Sequence, residues 1–351
     1  MGRMTTAPAA APKLKPGDRV AIVSPSFAAP GMFPALHEQA MRRLRADFGL
    51  EPVEFATTRR VGATPADRAA DLMAAWSDPS IRAVFATIGG DDQITVLPHL
   101  DPAPFRADPK PFFGYSDNTN LLNWLWAHGL AAYHGGSTQV HIAAGGGIDA
   151  VHEQSLRAAL FETVDLEIRP VDRFTDEELS WAEPASLTSS APTVPSPGWV
   201  WHQPERVVTA PTWGGCLEIL QWSLAADRWI LPPAAYAGCV LLLETSEEMP
   251  PAEEVFRMLR NAGERGLLEQ FPAVLVGTAK ASSLGNRPPQ EERRRFRDEQ
   301  RAAVLRALAA YNPSAMAVFG VDFGHTSPQW ILPYGGRLTV DGPARRIVAH
   351  F

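Results

Sequence analysis

The chain has 351 residues, of which 45% are hydrophobic and 20% charged, so it carries enough apolar surface for a sizeable core and is not disordered in bulk. With 32 Lys and Arg against 39 Asp and Glu the formal net charge is -7, and no basic stripe could neutralise a run of phosphates, which excludes nucleic acid as an expected partner. Apolar runs such as Cys239 to Leu243 fall far short of the roughly 20 residues a membrane-spanning helix needs. The Pro/Ala-rich stretch Met1 to Pro12 lacks the continuous apolar segment of a signal peptide. Cys216 and Cys239 have no CxxC partner and read as reduced, so a cytoplasmic protein is expected.

The length fits one large domain or, as expected here, two of ordinary size. In chain order, Asp18 to Ser24 reads as a strand after the turn signal Pro16-Gly17, and Pro34 to Phe48 as a helix. Thr64-Pro65-Ala66-Asp67 places an N-cap, an N1 proline and an N3 acid ahead of a helix reaching Trp76. Strand candidates Ala83 to Ile88 and Pro111 to Tyr115 follow, then helical patterns Asn118 to His128 and Ile148 to Glu162. Such alternation predicts a mostly parallel sheet. Periodicity then disappears in a Pro, Ser and Thr-rich stretch, which places an N-terminal domain at 1–170, a linker at 171–204 and a C-terminal α/β domain at 205–351.

In the second half Arg206 to Ala210 reads as a strand, and Gly214-Gly215 as a break opening the helix Cys216 to Leu224. Strands are expected at Gly238 to Leu243, Ala273 to Gly277 and Ala315 to Gly320, with helices over Pro251 to Ala262 and Pro289 to Tyr311. Gln329 to Pro333 and Arg337 to Val340 predict a terminal hairpin across Tyr334-Gly335-Gly336.

His37-Glu38 and His152-Glu153 each begin like a zincin helix, but Met41 and Leu156 stand where the second histidine belongs, so both read as exposed helix residues and no metal is expected. Gly145-Gly146-Gly147 lacks dinucleotide spacing, and no cofactor is expected. Pro111 to Asn118 is the strongest local signal: an apolar strand ends in a tight turn bearing Ser116 at a helix start, where a hydroxyl is presented and N–H groups can stabilise an oxyanion. The competing reading is that Ser116 or Asp117 only caps the helix. Asn118 in place of the second glycine of GxSxG weakens an ordinary esterase reading.

A serine needs a base, and among nine histidines His325 lies in a glycine-punctuated loop after a strand, where catalytic side chains tend to sit. His134 and His141 flank Gly135-Gly136 and could line a pocket. His128 reads as a helix cap and His350 as part of a frayed terminus. Glu244, ending a buried strand, is the candidate that orients the imidazole, against the alternative of an exposed acid beside Glu247 and Glu248. Ser116 Oγ should then lie within hydrogen-bond reach of His325.

These residues resemble the LD-carboxypeptidases, serine peptidases also called muramoyl-tetrapeptide carboxypeptidases. Pro16-Gly17-Asp18 before the first strand, Gly114-Tyr115-Ser116-Asp117, Gly214-Gly215, Leu243-Glu244 and Gly324-His325 carry the resemblance over nearly the whole chain. It implies a Ser116-Glu244-His325 triad, an oxyanion hole from the Gly90 and Asp117 N–H groups, and an N-terminal domain similar to class I glutamine amidotransferases joined to a smaller C-terminal α/β domain. It also implies a homodimer. Thr87 to Asp92 is similar to the microcin C immunity branch, which implies an aminoacyl-nucleotide or small peptide substrate touching Gly89, Asp91, Trp181, Gly214 and Gly215, with Trp181 stacking the base ahead of Trp199 or Trp201. The alternatives are removal of D-alanine from muropeptides, a catalytically silent binding protein and a general esterase.

Overall fold

The structure, a computed structural model, describes residues 8–351; the first seven residues of the N-terminal tail lie outside the described residues. A six-stranded sheet is ordered Leu332–Tyr334, Ala132–His134, Phe112–Gly114, Ile81–Ala86, Arg19–Val23, Glu51–Glu54. Its neighbours are parallel except for Leu332–Tyr334, which runs antiparallel to Ala132–His134. Because side chains alternate along a strand, Ala21, Val23, Val84, Ala86 and Phe112 enter one core while Val20, Ile22, Ala83, Phe85 and Phe113 enter another. Helix Pro65–Ser77 covers the first face with Leu72 and Trp76, and helix Pro34–Ala46 covers the second with Leu36, Ala40 and Leu44. Both faces are therefore buried, as a parallel sheet requires. The Thr64 side chain accepts from the Asp67 N–H at 3.2 Å, as the capping pattern predicts.

The second sheet is ordered Asp165–Ile168, Arg346–His350, Arg337–Asp341, Val207–Cys216, Val240–Glu244, Ala273–Gly277, Met316–Val321, Val200–His202. Its centre is parallel and its flanks antiparallel. The expected terminal hairpin is not formed: Leu332–Tyr334 crosses to the first sheet, and Arg337–Asp341 pairs with Val207 to Pro211 and with Arg346–His350. Asp165–Ile168, from before the linker, joins the second sheet in return. The two units thus exchange strands.

Two further expectations change. Gly214-Gly215 does not break the chain but lies inside the strand Val207–Cys216. A Cβ on Gly215 would meet Thr119 Oγ1 at 2.7 Å and one on Gly214 the Leu242 carbonyl oxygen at 2.0 Å, so Gly215 lets this strand close on the helix that follows Ser116 and Gly214 lets it close on the neighbouring strand. His350 is not frayed: its strand is paired, and its Nδ1 lies 2.6 Å from Asp165 Oδ1. The 171–204 stretch is packed rather than free, with Thr175 bridged to Ser327 and Asp176 held by Arg293 and Arg297.

Candidate active site

Strand Phe112–Gly114 delivers Ser116 in the left-handed region, φ 62°, ahead of a 3₁₀ turn Ser116–Asn118 and helix Thr119–Ala127. A non-glycine residue held there costs of order 1–2 kcal/mol, so the surrounding contacts must impose it. Three of them do. The Asp117 carboxylate accepts from Ser26 Oγ, from the Gln93 N–H at 2.9 Å and from Asn120 Nδ2 at 2.9 Å. Asn118 donates to the Ile88 carbonyl at 3.1 Å and accepts from Gln93 Nε2 at 2.7 Å, which explains a residue other than glycine at that position. Gly89 lies so close that a Cβ would stand 2.8 Å from Ser116 Oγ. Burial pushes the Asp117 carboxyl upward while these hydrogen bonds pull it down, and the rise prevails. The Asp117 N–H lies in the first turn, where the helix itself offers it no acceptor.

Glu244 ends its strand with its side chain wholly buried, contrary to the exposed-acid alternative. Room for it comes from Gly277 and Gly324, where a Cβ would stand 2.9 and 3.0 Å from the Glu244 Cβ. Its Oε2 takes His325 Nδ1 at 2.5 Å, while Oε1 has no hydrogen-bond partner among the described residues and faces His134 Nε2 at 4.0 Å. Tyr115 joins the groups, its ring 5.0 Å from His325, 5.4 Å from His141 and 6.0 Å from His134.

The expected Ser116–His325 hydrogen bond is absent. Nε2 is buried without a hydrogen bond and has Glu247 Oε2 at 3.4 Å instead, because the carboxylate reaches the nitrogen that Glu244 leaves open. Glu247 is mounted by Glu218, which accepts from the Ser246 N–H at 2.8 Å and from Ser246 Oγ at 2.7 Å.

Burial alone would lower the His325 pKa. The charge and hydrogen bond of Glu244, reinforced by Glu247 and Glu218, outweigh it and raise the pKa to about 9. His134, lowered to about 3, and His141, held well below its usual value, stay neutral, first through burial and then through neighbouring imidazoles. Burial and Glu218 push the Cys216 thiol well up, so it is no thiolate nucleophile.

A base must be neutral to accept a proton, so the pKa of about 9 predicts that kcat/KM rises with pH through the neutral range and levels off near pH 9. Removing the charge next to Nε2 in Glu247→Gln should lower that pKa and raise kcat/KM at pH 7 by about three- to tenfold. A profile flat from pH 6 to 10 in both proteins counts against His325 as the base.

Other expectations resolve as follows. His37 and His152 are buried, not exposed: His37 Nε2 lies 3.2 Å from Glu54 Oε1, and His152 Nδ1 3.0 Å from the Gln329 carbonyl oxygen. Among the described residues no group of three His, Cys, Asp or Glu is placed to hold a metal ion. His128 Nδ1 meets the Trp124 carbonyl at 2.7 Å, the cap position expected. Asp91 and Gly90 are exposed on the loop beside Ser26 and Phe27. Trp181 is partly buried and packs edge-on against Phe33, centroids 5.4 Å apart. Trp199 donates to Asp322 Oδ2 at 2.9 Å and Trp201 lies under Arg345.

Comparison with known proteins matches residues 20–135 to the LD-carboxypeptidase N-terminal domain and 209–340 to the LD-carboxypeptidase C-terminal domain. The chain belongs to the LD-carboxypeptidase family. It is a serine peptidase of that family, 30% identical over 356 residues to a provisionally named carboxypeptidase of Streptomyces coelicolor, covering 95% of this chain and 96% of that one. It is 25% identical to the Escherichia coli microcin C7 self-immunity protein MccF over 289 residues, 78% of this chain and 75% of that one. Among solved structures, an MccF-like protein from Streptococcus pneumoniae in complex with AMP superposes with a TM-score of 0.84 at 26% identity, covering 95% of this chain and 98% of that one. Some features of this arrangement were announced by no sequence motif. Glu218, Glu247 and the space-making Gly277 lie far from their partners in the chain, and only the density of acids after Glu244 gave a signal.

Proposed function

We propose that the chain hydrolyses an amide through Ser116, His325 and Glu244. The observation that carries this reading is the buried His325–Glu244 contact, which fixes the proton on Nδ1 and leaves Nε2 without a hydrogen-bond partner at the base of the Ser116 turn. Ser116 Oγ attacks the carbonyl carbon as Nε2 takes its proton. The oxyanion is held by the Asp117 N–H, with Gly90 as the second donor, and each such donor is worth about 10² to 10³ in rate. Nε2 returns the proton to the leaving nitrogen. Water, deprotonated by the same nitrogen, then releases the acyl group from Ser116. For this to begin, the Glu247 side chain, half exposed to solvent, gives up Nε2 of the buried His325 to Ser116.

The acyl donor we propose is an aminoacyl-nucleotide amide, supported by the likeness to the MccF-like protein that binds AMP, with Trp181 beside the base and Gly89, Asp91 and the Gly214-Gly215 strand along the acyl group. One observation favours a second reading, removal of D-alanine from a muropeptide. Glu247 and Glu248 make the rim acidic, which repels an aspartyl or glutamyl side chain and attracts the ammonium of diaminopimelate. The enzyme, incubated separately with glutamyl sulfamoyl adenosine and with a tetrapeptide ending in D-alanine, should release glutamate from the first. Release of D-alanine alone makes the second reading correct, and release from neither removes both.

A further inference from the structure

A cavity of about 650 Å³ lies not at Ser116 but beneath helix Gln290–Tyr311. Neither Ser116 nor His325 lines it, and of the proposed catalytic residues only Glu244 borders it. The helix adds Asp298 and Gln300 to the lining and presents Gln290, Arg294, Arg297, Arg301 and Val304 to this space. Their spacing of three and four residues puts them on one face. A helix that covers a parallel sheet ordinarily buries an apolar stripe there, yet three of these five positions are arginine.

The opposite wall is apolar, built from Leu243, Val276 and Phe319 at strand ends and from Phe174 of the packed 171–204 stretch. The arginines are not equally committed. Arg297 is bound to Asp176, donates to the Ala279 carbonyl at 3.1 Å and lies over the Phe174 ring at 4.9 Å. Arg301 donates to Asp298 at 2.9 Å, a carboxylate that also lines the cavity. Arg294 makes no hydrogen bond or ion pair among the described residues. The cavity therefore joins an apolar wall to three guanidinium groups, of which Arg294 has no carboxylate partner among the described residues and Arg301 shares one with the helix surface, and its volume lies within the range of small-molecule sites.

We infer that this cavity is a second ligand site that takes an amphipathic anion, with an apolar chain along Val276 and Phe319 and a carboxylate or phosphate head on Arg294 and Arg301. The site adjoins the peptidase centre only through Glu244, and Ser116 is not in its lining, so its occupancy does not depend on the Ser116 hydroxyl.

Calorimetric titration of the full chain with dodecanoate, dodecyl phosphate, dodecanol and dodecyltrimethylammonium, all below their micelle concentrations, tests it. One or both anions should bind at least about tenfold more tightly than the alcohol and the cation, as charge-assisted hydrogen bonds require. The preferred anion identifies the head group. Arg294→Glu with Arg301→Glu, two helix-surface changes checked for folding by thermal melting, should weaken the anion at least about tenfold, and Ser116→Ala should bind it as the native chain does. The inference is overturned if no anion binds, if all four probes bind alike, if the double reversal leaves binding unchanged, or if Ser116→Ala abolishes it.

Discussion

Replacing Ser116 by alanine is expected to lower kcat/KM by about 10⁴-fold or more while leaving the fold and substrate binding in place. The hydroxyl is the one group that forms a bond to the acyl carbon, so no neighbour supplies its role. The turn that holds it is fixed by Asp117, Asn118 and Gln93 rather than by the hydroxyl, which has no hydrogen-bond partner among the described residues. Alanine in the left-handed region remains strained, yet that strain is already present in the native chain, so melting should shift little. Circular dichroism and steady-state kinetics on the same preparation check both halves. Activity within about tenfold of native means another nucleophile.

Glu244→Gln should be almost as severe, reducing kcat by about 10³ to 10⁴. Glutamine fills the space that Gly277 and Gly324 leave, so packing survives. What changes is the proton inventory. The carboxylate accepts the His325 Nδ1 proton and supports the imidazolium, whereas an amide can turn its NH₂ toward Nδ1 and force the proton onto Nε2, where it blocks the base. Losing that charge also removes the main influence that raises the His325 pKa, so the acid limb of the rate profile should move to lower pH even as the rate falls. A variant with a lower rate and an unmoved limb shows that Glu244 acts only through packing.

Much of this arrangement was legible in the chain because its signals are local. A strand that ends in Gly-Tyr-Ser-Asp at a helix start, an acid closing an apolar strand and a histidine in a glycine-punctuated loop each announce themselves within a few residues, and Thr64 to Asp67 announced a helix start that the hydrogen bond at 3.2 Å bears out. The missed features depend on long-range closure. Leu332–Tyr334 is three residues long, too short for its period to tell which sheet it joins. His37 and His152 look like surface residues because nothing in sequence marks the Glu54 carboxylate or the Gln329 carbonyl that meets each when buried. Glu247 was visible as one of several acids, but its approach to Nε2 follows from Glu218 bracing Ser246, a contact across 28 residues.

Reaction of the full chain with a fluorophosphonate, followed by mass spectrometry of its peptides, tests the serine nucleophile most directly. The expected result is one adduct, on Ser116, formed at least about tenfold faster at pH 9 than at pH 7 and lost in both Ser116→Ala and His325→Ala. An adduct on a different residue, or a Ser116 adduct whose rate ignores both pH and His325, would contradict the proposed Ser116–His325–Glu244 chemistry.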